Sequence, residues 1–431
     1  MAKTYTLIQA QTLTSTAASV TFSNIPQNYT DLVVMVSSRV SNAAVYGSVV
    51  FQPNGLTATS RRLYGDGSSS TANTGVNAEG VGGSATANTF SNITYNLLNY
   101  TSSNYKIASV DWTGENNGAE SYLGISGHLI STSSPITSFV ITANTLNFIA
   151  GSTFYLYGVG GTRATGGTIT SDFNYTYHTF TSTSTFTALE KIKNAEILLV
   201  AGGGSGGSDA SGGGGAGGVV YSSGQTFNAG TSYSAIIGAG GAGNSTKLSA
   251  GNSGTNTLFS SVTAAVGGGA GGGGAGGSGS SGGSGGGSRV SNNAGTSGQG
   301  NQGGSGNNAS NYPAGGGGGA GGAGVAGNFG GNSQGGNGGV GTNAYHYWHL
   351  ATGTGVVSNG TYYIAGGGGG GVSSGTGGAG GLGGGTGGVI SPNFSGNATA
   401  NTGSGSGGAG DASGTTGSGG SGLVIVRYPS N

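Results

Sequence analysis

The chain has 431 residues, of which 104 are glycine and none is cysteine, and its 11 basic residues balance its 11 acidic ones. The missing cysteine excludes thiol catalysis, disulfides and Cys-ligated zinc or iron–sulfur sites, and the cancelled charge excludes a global field that would draw in nucleic acid or an anionic membrane. With 20 Tyr and 13 Phe, the chain also lacks the aromatic-poor, highly charged composition of disorder.

The composition changes along the chain. Of the 104 glycines, 86 follow residue 200, whereas 17 of the 22 charged residues lie at or before it. This predicts two domains, 1–160 and 168–431, joined by the Gly/Thr linker 161–167. No apolar run approaches the ~20 residues of a membrane span, and no basic-then-apolar signal pattern opens the sequence; no membrane insertion is expected.

The first domain reads as all-β. Thr4–Ile8, Ala18–Phe22, Asp31–Ser37, Val45–Phe51, Thr86–Thr94, Lys106–Trp112, Ser121–Ile130, Ser138–Thr142 and Thr153–Val159 are rich in Val, Ile, Thr and Tyr. Asn, Gly, Pro and Ser separate them, which predicts a β-sandwich, jelly-roll-like, of about eight strands. No window sustains a 3.6-residue period, so no helix is expected anywhere. Arg61 and Arg62, beside Tyr64 and Asp66, read as a loop in which Asp66 is the natural ion-pair partner. Asp111, Glu115 and Glu120 form the one acidic group of note. A glycosidase needs two carboxylates flanking one bond, and Asp111, just before Trp112, reads more simply as a loop turning into Gly114.

The second domain opens with β pieces. Phe173–Phe180 and Thr183–Leu189 read as a hairpin. Glu196–Ala201, Gly218–Tyr221, Ser232–Ile237, Thr257–Phe259 and Val262–Val266 follow. The last apolar strand, Leu423–Pro429, is expected to pair with Ile197–Ala201 in a β base (168–266 and 422–429) that holds a long glycine-rich insertion at both feet.

That insertion contains the runs Gly267–Gly277, Gly315–Gly324, Gly366–Gly371 and Gly377–Gly388. A collagen helix needs a strict three-residue period and much proline, and the chain has 6 Pro. A flexible linker is the simpler alternative, but it has no use for the aromatic segments between the runs. Packed polyglycine II helices fit better: such a turn has no internal hydrogen bond, and only residues without a Cβ can approach closely enough to share backbone groups with several neighbours. Gly-x-Gly-x-x-Gly recurs by chance and precedes no helix, so it is not read as a nucleotide site.

The ordered set Ile197–Gly204, Gly212–Tyr221, Tyr233–Gly243 and Gly422–Pro429, with its Val-Ile-Val-Arg-Tyr-Pro ending, resembles the glycine-rich domain of bacteriophage tail fibres and tail-fibre adhesins over roughly residues 165–431. The first half, with Tyr5–Ile8, Val20–Pro26 and Phe154–Val159, looks like the β-domain that precedes such tails in phages of marine bacteria. The resemblance implies a surface-exposed virion tail protein, typically homotrimeric, that works with other virion tail proteins. It also implies that loops at the tips of polyglycine rods bind a host surface receptor, a glycan or an outer-membrane protein.

The expected receptor-binding residues are Tyr345, His346, Tyr347, Trp348, His349, Tyr362, Asn393 and Phe394, because flat aromatic faces stack on sugars and dominate interface hot spots. The competing reading makes the aromatic group a local core that caps the rods. His346 and His349 stand at metal-ligand spacing but have no acid nearby. The polar segment Arg289–Pro313, with Asn292, Asn293, Gln299, Asn301, Gln302, Asn307, Asn308 and Asn311, is a further loop. No cofactor, metal or catalytic residue is expected. A capsid-decorating or head-fibre protein without a receptor role, and a polysaccharide depolymerase, are the alternatives.

Overall fold

The computed structural model describes residues 5–430 except 66–69, 76, 116–120, 261, 275, 309, 331 and 411–414. The chain is all-β with one short helix among the described residues, and it divides into two compact units, Met1–Thr162 and Arg163–Asn431.

In the first unit the strands are β1 (Tyr5–Thr12), β2 (Ser19–Phe22), β3 (Asp31–Ser38), β4 (Tyr46–Pro53), β5 (Thr59–Gly65), β6 (Ser70–Asn73), β7 (Asn77–Val81), β8 (Ser91–Leu98), β9 (Lys106–Glu115), β10 (Ser121–Ile130), β11 (Phe139–Thr142) and β12 (Thr153–Val159). They form an eight-stranded sheet, β1-β12-β3-β8-β9-β10-β5-β6, and a four-stranded sheet, β2-β11-β4-β7. Every pairing is antiparallel. Period-2 alternation decides which side chains enter the core. On β9, Lys106, Ala108, Val110 and Trp112 point inward while Ile107, Ser109 and Asp111 face out.

The two sheets meet through aromatic contacts. Phe51 of the smaller sheet stacks on Tyr95 of the larger at 4.8 Å, and Phe139 meets the same ring edge-on at 5.2 Å. Burying a side chain of this size contributes about 1.5–3 kcal/mol. Gly124 lies opposite Trp112, and a Cβ there would stand 2.2 Å from the indole, so the ring itself demands the glycine. The inward Lys106 is satisfied by the carbonyls of Ser102, Asn104 and Thr132 at 2.6, 2.8 and 3.1 Å.

Several expectations are corrected here. Twelve strands replace about eight. Arg61 and Arg62 sit on strand β5 rather than a loop, and Arg62 pairs with Glu79 at 2.9 Å; Asp66 lies outside the described residues. Asp111 sits within strand β9 and not on a turn; Glu120 too lies outside the described residues. Both errors have one cause. Polar side chains on a strand erase the apolar pattern by which it is read: Arg61 and Asp111 face out, while Arg62 on the other side is held by Glu79.

The second unit contains β13 (Ala164–Thr165), β14 (Thr168–Ser171), β15 (Tyr175–Phe180), β16 (Ser184–Ala188), β17 (Ile192–Val200), β18 (Val219–Phe227), β19 (Ser232–Ile236), β20 (Leu258–Phe259), helix α1 (His346–Thr352), β21 (Val356–Ser358), β22 (Thr361–Tyr363) and β23 (Leu423–Pro429). The linker residues Ala164 and Thr165 thus belong to a sheet. Gly166 beside them has φ 106°, and a Cβ on it would stand 2.0 Å from the Thr185 carbonyl.

The terminal strand β23 lies between β15 and β17, with Leu198 opposite Ile425, so the distant apolar strands do pair. The expected hairpin of Phe173–Phe180 with Thr183–Leu189 does not form. β15 joins the five-stranded sheet β14-β15-β23-β17-β18, whereas β16 joins the four-stranded sheet β13-β16-β19-β20. The chain crosses between sheets there because both have an inner face to bury. Val262–Val266 contributes only the single bridge of Ala265 to Thr257.

Both faces of the five-stranded sheet are covered. Ile197, Leu199, Val424 and Val426 pack with Phe186, Phe227 and Phe259 on one side. Leu198, Val200, Leu423 and Ile425 pack with Tyr177, Trp348, Ile364 and Ala216 on the other. The glycine segments continue from one end of the central strands, where Val200 lies opposite Val219 and Leu423. Within Gly212–Gly217, consecutive N–H groups donate to Gly272, Gly315, Ser406, Gly269, Gly318 and Gly403. The acceptors rotate through three neighbouring segments and return every third residue, the period expected of a polyglycine II helix. The carbonyls of Gly212 to Ala216 accept from Gly207, Gly287, Gly368, Gly204 and Ser284, which lie on three other segments. Gly366–Gly371 repeats the rule: Gly367 and Gly370 donate to Gly339 and Gly336, and Gly368 and Gly371 to Gly214 and Ser211.

Candidate recognition surfaces

The glycine segments have two ends, and the expected receptor residues divide between them. The first group lies at the sheet end. Thr342 and Ile364 bridge to each other, and the residues between them form α1 and the hairpin β21-β22. The helix is a correction to the expected absence of helices. It has seven residues, no side-chain cap at Tyr345, and a stop at Gly353 with φ 65°. Two turns without a capping residue leave no periodic signal in sequence.

Trp348 and His349 are buried in this group, so they pack and present no face to a receptor. The Trp348 ring meets Tyr177, Tyr221 and Tyr345 at 6.2, 6.2 and 6.0 Å. The Arg427 guanidinium lies 4.1 Å from the Tyr175 ring centre and 4.2 Å from that of Trp348. It is also paired to Glu196, so a cation–π stack fixes the helix to β23. This is the local-core reading, realised on the sheet rather than at the far tips of the segments.

His349 Nδ1 shares a hydrogen bond with the Thr354 hydroxyl at 2.7 Å. Burial, aided by the charge of His346, pushes His349 down to about 4, so its imidazole is neutral at pH 7. His346 Nδ1 accepts the Tyr362 N–H at 3.1 Å, which ties the half-buried Tyr362 to the helix. With one His buried and the other occupied, the two do not form a ligand pair. Among the described residues no group of three His, Cys, Asp or Glu could hold a metal. Tyr347 projects into solvent, 74% exposed.

Asn393 and Phe394 lie at the opposite end. The path can be traced through hydrogen bonds. Gly371 donates to Ser211, Gly274 to Ser208, Ala210 to Gly410, and Gly410 to Asn393. These partners are one segment length from the sheet. At a rise of ~3.1 Å per residue, the six residues of Gly366–Gly371 span roughly 19 Å. Loops converge here. Arg289 Nε donates to the Ala210 carbonyl at 2.8 Å, and its guanidinium lies 4.3 Å from the Tyr312 ring centre. Leu248, Val290, Tyr312, Phe329 and Phe394 all expose apolar surface on these loops.

The polar segment Arg289–Pro313 also divides. Asn293, Gln299 and Asn301 direct their amides to the Gly286, Ala264 and Gly319 carbonyls at 2.7, 3.0 and 2.8 Å, so they tie segments together. Asn311 reaches the Ser333 hydroxyl at 3.3 Å, on a neighbouring loop. Sequence reasoning missed Leu248, Val290, Tyr312 and Phe329. The signal that could have found them was an isolated large apolar residue inside a polar or glycine-rich turn.

No curated protein matches the chain. The family model of a glycine-rich domain matches residues 178–429, more than half of the sequence and nearly all of the second unit. On that match, the chain belongs to the glycine-rich domain family.

Proposed function

We propose that this chain is a bacteriophage tail fibre or tail-tip adhesin that acts by binding rather than catalysis. In this reading its glycine segments are polyglycine II rods, and the loops farthest from the sheet contact a host surface receptor. The observation that carries the proposal is the exposed apolar set Leu248, Val290, Tyr312, Phe329 and Phe394, held on short loops by a backbone lattice. Single exposed apolar residues are ordinary, but several on neighbouring loops mark an interaction site, and rigid loops with apolar anchors bind well because little entropy is lost on contact. The rank of candidate residues changes accordingly: Tyr312 and Phe394 stand before Tyr347, and Trp348 and His349 leave the set. The particle's other tail proteins are the natural partners of the remainder of the chain.

The test uses the labelled full chain and host cells. Tyr312→Ala and Phe394→Ala together are expected to weaken adsorption by about 30-fold, the effect of losing one hot spot. Tyr347→Ala is expected to leave adsorption unchanged. Loss on Tyr347→Ala with retention by the double variant would return the receptor site to the sheet end, and a wild-type chain that binds no host cell would sink the adhesin reading.

A further inference from the structure

We propose that Arg289, on the loops farthest from the sheet, binds the carboxylate of an acidic sugar. The inference rests on the adhesin reading for the setting in which that ligand is met, and it names the receptor chemistry of the same loops. Two arginines among the described residues are almost completely buried, Arg39 at 6% exposed and Arg289 at 5%. They differ in how the fold treats them. The Nη groups of Arg39 donate to the carbonyls of Thr86, Thr89, Gly83 and Ala85 at 2.6, 3.3, 3.1 and 2.8 Å, so the chain itself satisfies that cation. Arg289 donates only from Nε, to the Ala210 carbonyl at 2.8 Å. Its flat face lies 4.3 Å from the centre of the Tyr312 ring, and both Nη groups are left without a partner. Among the described residues no carboxylate stands within ion-pair distance of it. Burial pushes the guanidinium down from its ordinary value, and the charge of Asp209 offsets only part of that. A buried charge is costly until something pairs with it.

Backbone strain gathers around the same side chain. Apart from glycine and asparagine, six described residues have positive φ: Asp209, Ala210, Leu248, Ser260, Tyr312 and Ala365. Four of the six lie at this end. Ala210 at 43° and Tyr312 at 49° are the hydrogen-bond acceptor and the stacking partner of Arg289. Asp209 and Leu248 both stand against Gly274 beside them. Left-handed backbone is unfavourable for residues with a Cβ, and such residues cluster at ligand sites. Here they fix the guanidinium by its Nε and its face and leave its outer edge free.

That edge selects the ligand. Two parallel N–H donors on a planar, immobilised guanidinium match the two oxygens of a carboxylate. The surroundings select what carries it. Tyr312 is 44% exposed and offers ring surface beside the fork. Asn308, exposed, and Val290 both flank Gly276, which brings an amide to the residue that follows Arg289. Aromatic surface suits the C–H face of a sugar, and an amide both donates to and accepts from hydroxyls. A carboxylate, hydroxyls and a C–H face on one ring describe an acidic sugar. The acidic side chain of a protein receptor would use the fork alone.

The experiment is a ligand-observed NMR titration of the full chain, with melting curves to confirm that each variant folds. The probes are glucuronate and N-acetylneuraminate, the neutral methyl ester of each, and the α-amide of N-acetylglutamate as a protein side chain. At least one acidic sugar is expected to bind about tenfold or more tighter than its ester, the effect of losing a bidentate charged pair. It is also expected to bind tighter than the glutamate probe. Arg289→Lys keeps the charge without the fork and is expected to lose about tenfold, whereas Tyr312→Phe keeps the ring and is expected to change nothing. Binding of neither acidic sugar, equal binding of acid and ester, or a folded Arg289→Lys chain that binds as wild type overturns the proposal. A glutamate probe that binds as tightly as the sugars gives the fork to an acidic protein and overturns it as well. Sugar binding that Arg289→Lys weakens, in a chain that adsorbs to no host cell, upholds the site and sinks only the adhesin reading.

Discussion

In the first unit the interior is made of side chains, and Phe51, Tyr95, Trp112 and Phe139 fill the space between two sheets. In the glycine segments of the second unit the interior is made of backbone, and Gly212–Gly217 has no side chain larger than a methyl group yet is buried throughout. The first interior is stabilised by removing apolar surface from water. The second is stabilised by close approach and by hydrogen bonds from N–H and C=O groups to partners on other segments. Glycine loses more chain entropy on folding than any other residue, so an isolated segment could not hold this shape. Many segments anchored on a conventional sheet can. The two units should therefore respond to mutation in opposite senses: one suffers when atoms are removed, the other when they are added.

The largest expected effect is in the first unit. Trp112→Ala empties the space over Gly124 and is expected to cost about 3–5 kcal/mol, seen as a fall in the denaturant midpoint of that unit with little change in the other. A matched loss in both units would show that they do not unfold independently.

The reverse operation is expected to do the damage in the second unit. Gly214→Ala places a methyl group 2.1 Å from the Gly204 carbonyl, and that contact is backbone, which cannot rotate away. The expected loss is about 3 kcal/mol, at the upper end of ordinary overpacking. Gly127→Ala in the first unit, with open space around its Cβ, is expected to be neutral or stabilising by up to about 1 kcal/mol. Equal melting curves for Gly214→Ala and wild type would refute the backbone-lattice account.

A smaller loss than that of Trp112→Ala or Gly214→Ala is expected where side chains meet the lattice. His349 is held neutral by burial, with its folded value at about 4 against an ordinary 6.5. The unfolded chain therefore binds more protons between these values. The stability this group contributes is whole above pH 6.5 and is lost as pH falls toward 4, on the order of 1–3 kcal/mol. His349→Gln should flatten that slope for the second unit by about one proton. An unchanged slope would move the acid sensitivity elsewhere, His178 being the next buried histidine of that unit.

Much of this was legible along the chain. The two compositions, the β-rich start and the pairing of the last strand with Ile197–Ala201 follow from apolar runs and from glycine content, which are local properties; the register, Leu198 opposite Ile425, does not. Three features were not. Helix α1 was hidden because two turns carry no period. Strand β5 was hidden because Arg61 and Arg62 break its pattern, one facing solvent and the other pairing with Glu79. The division of Tyr345–His349 from Asn393 and Phe394 was hidden because both groups interrupt glycine runs in the same way. Only the direction in which each run travels from the sheet says which interruption is a base and which is a tip.

The sequence by itself determined the chemistry of each interior: apolar β-strands where water is to be excluded, and glycine where backbones must touch. Tertiary structure alone decided which segments are neighbours. Each glycine run is nearly identical to the next and carries no side chain to specify a partner. The choice is made by the residues at its ends, through the strands, alanines and amides that anchor each segment to the sheet or to its neighbour.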